Sequence, residues 1–160
     1  MSRSRAYLLS LGSNIEPERW IPRALELLAA RFAVDAVSPR YDVGAAGDAQ
    51  GQARYVNLAV RLRTDLRGRA LRVACRHIEA LCGRVRVADR FAPRTLDVDV
   101  VYDGSAQAAL ASDLLSTPYV LVPCADLWPD AVVEAEGATL GELAAVRFPG
   151  WGTTRRMEDD

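Results

Sequence analysis

Arg90-Phe91-Ala92-Pro93-Arg94-Thr95-Leu96-Asp97-Val98-Asp99-Val100-Val101-Tyr102 changes character at its midpoint. Pro93 fixes its own φ and keeps Ala92 extended, so the chain enters Leu96–Tyr102 as a strand rather than a helix. Side chains of a strand alternate between faces at a rise of about 3.3 Å per residue. Leu96, Val98, Val100 and Tyr102 then face a core. Asp97 and Asp99 share the opposite face, about 7 Å apart along the backbone. Two carboxylates on one rigid strand, with Arg90 and Arg94 just upstream, suit Mg²⁺ ions carrying a polyphosphate. A half-exposed strand with an acidic outer face is the plainer reading of Asp-x-Asp alone.

Working outward, Ala6–Leu11 is an apolar run ended by Gly12-Ser13-Asn14, a buried strand stopped by a turn whose backbone N–H groups are available to an anion. Trp20, Ile21, Ala24, Leu25, Leu28 and Phe32 recur at helical spacing, and Pro22 places the helix start near residues 19–22. Residues 32–37 read as a second strand, followed by a loop over 41–53 made of small residues. From Tyr55 to Arg63 alternation returns, with Leu58, Val60 and Leu62 on one side. Asn57 lies on the other, where it either lines a site or is simply exposed. Asp65 is a candidate N-cap for a helix carrying Leu71, Ala74, Cys75, Ile78, Leu81 and Cys82, which Gly83 ends. Beyond the opening strand, Asp103-Gly104 makes a turn and residues 105–115 show no period. Tyr119–Val122 reads as a short strand stopped by Pro123. Val132-Val133 reads as a hairpin arm, residues 139–146 as a last helix and 150–160 as a frayed tail.

The order strand, helix, strand, strand, helix, strand is that of an α+β, ferredoxin-like α/β sandwich. This βαββαβ core, with C-terminal additions, makes residues 1–160 one domain. Helices cover one side of such a sheet. A site is therefore expected on the other, completed by the loops over 41–53 and 83–92.

Composition narrows the function. With 160 residues, half of them hydrophobic, and a net charge of −1, the chain reads as a soluble globular protein, neither a nucleic-acid coat nor a membrane-surface protein. Ten arginines nevertheless crowd residues 61–94 against Asp65, Glu79 and Asp89, which calls for a small anionic partner. Every basic residue is arginine, so no P-loop or Schiff-base lysine exists. His77 is the one histidine and reads as a surface residue. Cys75, Cys82 and Cys124 lack metal-ligand spacing and suit a reducing cytoplasm. No run approaches the roughly 20 apolar residues of a membrane span.

Several stretches, collinear from Ala6 to about Asp130, resemble the 6-hydroxymethyl-7,8-dihydropterin pyrophosphokinases of folate biosynthesis. Leu11-Gly12-Ser13-Asn14 is similar to that family's opening turn. Tyr55-Val56-Asn57-Leu58-Ala59-Val60 is similar to a strand of it, and Ile78-Glu79 with Gly83-Arg84-Val85-Arg86 to its helix end and lid. Arg90–Asp99 resembles its most specific signature. The resemblance implies transfer of pyrophosphate from ATP to a pterin hydroxymethyl group with release of AMP. Asp97 and Asp99 would hold two Mg²⁺, with Asp97, Asp99, Arg84 and Arg94 as the catalytic set. Arg84, Arg86, Phe91, Arg94, Glu79 and Val100 would bind ATP. Val43, Gly44, Ala46, Tyr55, Asn57 and Tyr119 would bind the pterin, with Tyr55 and Tyr119 sandwiching its ring. Residues 83–91 would act as a lid. The partners implied are these small molecules, with no nucleic acid or membrane, and the protein is expected to be a monomer.

The chain also departs from that pattern. Phe91-Ala92 stands for Trp-Gly, and Val43–Ala46 lacks the usual Thr-Pro and Leu. The segment Leu110–Pro118 lacks the family's His and Arg. A diverged relative acting on another pterin-like alcohol, or catalytically impaired, is therefore an alternative. An RNA-binding module is a remote one, since the sheet lacks a paired aromatic platform.

Overall fold

A computed structural model describes residues 3–43, 54–89 and 92–158. The core opens with strand β1 (Arg5–Ser13), helix α1 (Pro17–Arg31), strand β2 (Ala33–Val37), a two-residue β3 (Tyr41–Asp42) and strand β4 (Val56–Thr64). Helix α2 (Gly68–Leu81) and strand β5 (Asp97–Asp103) complete the βαββαβ pattern. The additions are β6 (Ala108–Ala109), α3 (Asp113–Ser116), α4 (Pro118–Leu127), the hairpin of β7 (Val132–Val133) with β8 (Ala138–Thr139), and α5 (Leu140–Arg147). The main sheet runs β2-β4-β1-β5-β6, with β3 also on β4, and all of its pairs are antiparallel. This is the ferredoxin-like arrangement expected from the order of elements.

The sheet is covered on both faces, which corrects the one-sided expectation. Helices α1 and α2 bury Ile21, Ala24, Leu28, Leu71, Ala74, Cys75 and Ile78 against Leu9, Leu11, Leu58, Val60 and Val98. The second face packs Leu8, Ala59, Val101 and Tyr102 against Val120, Leu121 and Cys124 of α4 and Leu140 and Leu143 of α5. That layer still leaves Asp97 half-buried and Asp99 exposed.

Residues 119–122, expected as a strand, lie in α4. Pro118 at its first position supplies a helical φ. Pro123 inside it has no N–H for the Tyr119 carbonyl, a cost that tertiary packing overrides. Helix α4 meets the sheet on one flank and α5 on another, so it is apolar nearly all round and shows no period. Tyr102 also changes sides. Leu8 pairs with Tyr102 but Leu9 with Val100, so Val101 is a bulge that turns Tyr102 into the second core. There its hydroxyl donates to the Val132 carbonyl at 2.6 Å and its ring meets Trp128 edge to face at 5.6 Å.

Three boundaries shift. Helix α1 starts at Pro17, leaving Pro22 inside it. Helix α2 has extended Arg67 at its N-cap with no side-chain cap, so Asp65 does not cap it. The expected frayed tail instead forms a 3₁₀ turn, Trp151–Thr154, followed by a bridge from Arg156 to Tyr41. His77 is exposed, and all three cysteines are buried and free. No helix among the described residues is long and apolar enough to cross a membrane.

Gly104 is required by packing. A Cβ there would lie 2.5 Å from the Trp128 ring and 3.0 Å from the Ala6 carbonyl oxygen. Gly104→Ala is expected to lose about 1–3 kcal/mol through overpacking, read from urea unfolding followed by tryptophan fluorescence.

Candidate active site

Strand β5 has β1 on one side, but β6 reaches only as far as Tyr102 and Asp103 on the other. Its outer edge at Leu96–Val98 is closed by side chains instead. Arg84 donates to the Leu96 carbonyl at 3.0 Å, and the Glu79 carboxylate accepts the Val98 N–H at 2.9 Å. Glu79, only 2% exposed, also accepts from Arg86 at 2.7 Å. Burial pushes the Glu79 carboxyl above its ordinary range, as does nearby Asp97, while the Val98 N–H, Arg86 and Arg84 oppose the shift.

The carboxylates between these clamps are unequal. Asp97 has Arg94 at 3.3 Å on one oxygen and Arg84 at 3.7 Å on the other. No ion pair reaches Asp99 among the described residues. Its tip opens to solvent, yet the surrounding protein, then Asp97, Glu79 and Asp113, push its carboxyl up to about 6 against the pull of Arg94. The Nε of Arg84 is buried without a hydrogen-bond partner among the described residues.

The Gly12-Ser13-Asn14 turn is not an anion cradle. Asn14 and Ile15 donate their N–H groups to the Arg94 carbonyl at 3.1 and 3.3 Å, and the Asn14 side chain accepts the Arg94 N–H at 2.7 Å. The turn therefore fixes the backbone of Arg94. Gly12 is glycine because Tyr55 lies over it, its hydroxyl 2.6 Å and its ring 2.7 Å from where a Cβ would stand.

Tyr55 and Tyr119 meet edge to face, 6.5 Å apart at 65°, rather than as parallel plates. Burial, with Asp97 next, raises the Tyr55 hydroxyl well above its ordinary value and keeps it protonated. Asn57, opposite Gly12 on β1 and Tyr41 on β3, is 2% exposed, and its Nδ2 has no hydrogen-bond partner among the described residues. The exposed reading of Asn57 is thereby excluded; a buried amide donor left unmatched wants a ligand acceptor. Val43 is half-buried and tied to the Tyr55 carbonyl at 2.8 Å.

Two adjoining cavities share Arg86, Asp97 and Asp99. The first, about 380 Å³, brings Arg84, Arg86, Arg94, Asp97 and Asp99 together as expected and adds Asp113. The second, about 290 Å³, contains the expected Glu79 and Val100 and adds Arg72, Arg76, Leu110 and Ala111. Arg72 and Arg76 were visible in sequence only as members of an arginine-rich stretch. Asp113 and Leu110 fell where no period signalled structure. Gly44, Ala46, Arg90 and Phe91 lie outside the described residues.

The chain is similar to known proteins along most of its length. The family model described as 7,8-dihydro-6-hydroxymethylpterin-pyrophosphokinase matches residues 8–129. A 2-amino-4-hydroxy-6-hydroxymethyldihydropteridine pyrophosphokinase of Methylorubrum extorquens is 37% identical over 145 residues, covering 83% of this chain and 88% of that protein. The protein of the same name from Pseudomonas aeruginosa is 37% identical over 156 residues, covering 91% and 94%. In fold, the chain resembles a crystal structure of Plasmodium falciparum HPPK-DHPS with pteroate. The TM-score is 0.70 at 10% identity, over 96% of this chain and 44% of that longer one. Agreement over this span means that the chain belongs to the 7,8-dihydro-6-hydroxymethylpterin-pyrophosphokinase family and is an ATP-dependent pyrophosphokinase of folate biosynthesis.

Proposed function

We propose that the protein transfers pyrophosphate from ATP to the hydroxymethyl oxygen of 6-hydroxymethyl-7,8-dihydropterin, releasing AMP, with two Mg²⁺ ions held by Asp97 and Asp99. The observation that carries this reading is the meeting of those carboxylates with Arg84 and Arg94 in one cleft. The donor set fits a hard cation: Asp97 and Asp99 stand with the further carboxylates Asp89 and Asp113 in the first cavity, and neither His nor Cys lines it. Magnesium is ordinarily held by one or two carboxylates together with phosphates, and among the described residues no group of three or more potential ligands forms a closed cage. Bound magnesium would offset charge on the triphosphate and orient it.

Arg84 and Arg94 would fork onto phosphate oxygens, where they strengthen as charge develops in the transition state. Val100 and Leu110 offer the nucleotide base an apolar wall. Ala111 and Thr117 stand in the segment that lacks the family's His and Arg. Arg72 and Arg76 on α2 supply positive charge to the same cavity from its other wall. The Asn57 amide would donate to the pterin edge. Tyr55 and Tyr119 would part from their edge contact to admit the ring, and residues 83–91 would close over the nucleotide. The hydroxymethyl oxygen then bonds to the β-phosphorus as the bond from that phosphorus to the bridging oxygen breaks. The hydroxyl proton passes to solvent and AMP leaves with the bridging oxygen. A related alcohol is the second reading, favoured by the edge-to-face tyrosines and by Ala111 in the cavity wall. The buried, unpaired thiols agree with a reducing cytoplasm, and we take the enzyme to act there as a monomer on small molecules.

Asp97→Ala and Asp99→Ala are each expected to lower AMP release from ATP, pterin and Mg²⁺ by about 10²–10³-fold. Wild type releasing no more AMP than these variants would sink the assignment. Asn57→Ala is expected to weaken pterin binding about 10–100-fold, the cost of one missing buried hydrogen bond, while calorimetry with a non-hydrolysable ATP analogue shows little change.

Acidity supplies another check. The folded Asp99 pKa of about 6 lies above the ordinary 3.8, so the folded state binds the proton more tightly than the unfolded one. Without metal this group disfavours folding above pH 6, and that effect fades as pH falls toward 4. Magnesium must displace the proton, so its affinity is expected to fall about tenfold per unit once pH drops below 6. The Mg²⁺-induced rise in Tm should accordingly be clear at pH 7.5 and nearly absent at pH 5.

A further inference from the structure

The last described residues of the chain return to the pterin side of the site. Strand β3 is two residues long, and by itself so short a strand would be an edge with unpaired backbone groups. It is instead gripped on both sides. Val43 donates inward to the Tyr55 carbonyl at 2.8 Å. Facing outward, Asp42 donates to the Arg155 carbonyl at 2.9 Å, and the Met157 N–H reaches the Arg40 carbonyl at 2.8 Å.

The turn before this added strand is a wedge between two walls. Trp151 packs on Tyr41, ring centroids 5.5 Å apart, and Tyr41 is 2% exposed. The Tyr41 hydroxyl donates to Asp126 on α4. A Cβ on Gly152 would stand 3.2 Å from Val122 of α4 and 3.4 Å from the Tyr41 ring, so little spare room remains between them. Asp126 lies seven residues after Tyr119, about two helical turns, and so on the same face of α4. One wall thus carries Val43, Tyr55 and Asn57, the other carries Tyr119, and residues 151–157 touch both.

We infer that the segment Trp151–Met157 is a positioning element for the alcohol substrate, setting the separation between the β3–β4 wall and Tyr119 on α4. The inference rests on the pterin reading of those walls. Its residues touch no reacting atom and act through Arg40, Tyr41, Asp42, Arg54 and α4, with Met157 also packed against the α1–α2 core. None of them lines the arginine–aspartate cavities, so nucleotide binding has no reason to depend on them.

The test uses the full chain with Trp151→Ala, which removes the packing on Tyr41, and Met157→Pro, which removes the N–H given to Arg40 but leaves the wedge. Hydrogen exchange, pterin KM and affinity for a non-hydrolysable ATP analogue are measured well below each variant's Tm. The expected result is faster exchange confined to residues 41–43, 55–57 and 118–122, with KM for pterin raised several-fold or more and nucleotide affinity unchanged. Exchange that is unaltered there, or raised uniformly over β1 and β5 as well, overturns the inference, as does an equal loss of nucleotide binding. Local loosening in a protein whose wild type does not bind pterin keeps the positioning element and removes the pterin reading.

Discussion

A buried carboxylate closes the open edge of the strand that carries the site. At Val98 the backbone N–H of β5 points away from β1 into a position where no neighbouring strand exists, and Glu79 accepts it there. An unmatched buried N–H costs about 1–3 kcal/mol, and a buried carboxylate with no donors costs more. Each group makes the other tolerable, and Arg86 takes the second carboxylate oxygen. Because Glu79 is on α2, the same contact fixes the helix against β5 and anchors the start of the loop after Gly83. Asp97 and Asp99 flank Val98, so their carboxylates inherit a backbone that cannot fray.

The bulge at Val101 lets one strand serve two purposes. Up to Val100, β5 sends its aliphatic residues to the α1–α2 core and its aspartates to the opposite face. After the extra residue, Tyr102 turns to that opposite face and packs under α4 and α5. A regular strand would have set Val101 and Asp103 beside α4, burying a carboxylate in an apolar layer. With the slip, Asp103 instead caps the following turn, accepting the Ser105 and Ala106 N–H groups at 2.9 and 3.2 Å. The C-terminal layer can thus cover half of the sheet face and stop short of the carboxylates.

Elements with one wet face were legible in the sequence. α1, α2, β4 and β5 each show a period because each has a core side and a different second side, while β1, buried on both faces, reads as a continuous apolar run bounded by a turn. Helix α4 is enclosed by β4 and α5, so its apolar run carries no period and imitates a buried strand. The bulge is a single-residue slip written nowhere in local composition. The tail reads as frayed because its hold is entirely long-range, on Tyr41, Asp42 and Arg40. Within the site, the paired aspartates and the lid arginines stand out because charge in a strand or after a Gly stop is conspicuous. Asn57 could be noticed as an oddity, but only burial decides between a lining and an exposed residue. Glu79 belonged to a motif, yet its grip on Val98 depends on strand pairing that no spacing reveals.

The charge balance of the cleft indicates how a ligand would enter it. Asp97, Glu79 and Asp113 stand close enough to raise the Asp99 carboxyl, and Arg84, Arg86 and Arg94 face them, with Arg72 and Arg76 on the α2 wall. Glu79 occupies Arg86, and Asp97 holds Arg84 and Arg94 at separations longer than a good charge-assisted hydrogen bond. Such loose pairs in a half-wet cleft are each worth only a few kcal/mol at most. A polyphosphate arriving alone would meet the carboxylates as well as the arginines. Arriving with a divalent cation, it presents the aspartates with positive charge and the arginines with phosphate oxygens. Both halves of the site then exchange a weak partner for a strong one without stranding any charge. The unpartnered Nε of Arg84 is placed to take part in that exchange. On this reading the two aspartates of β5 would favour the metal complex of a nucleotide over the free nucleotide, and Asp99, which has no ion pair to an arginine among the described residues, would contribute most to that preference.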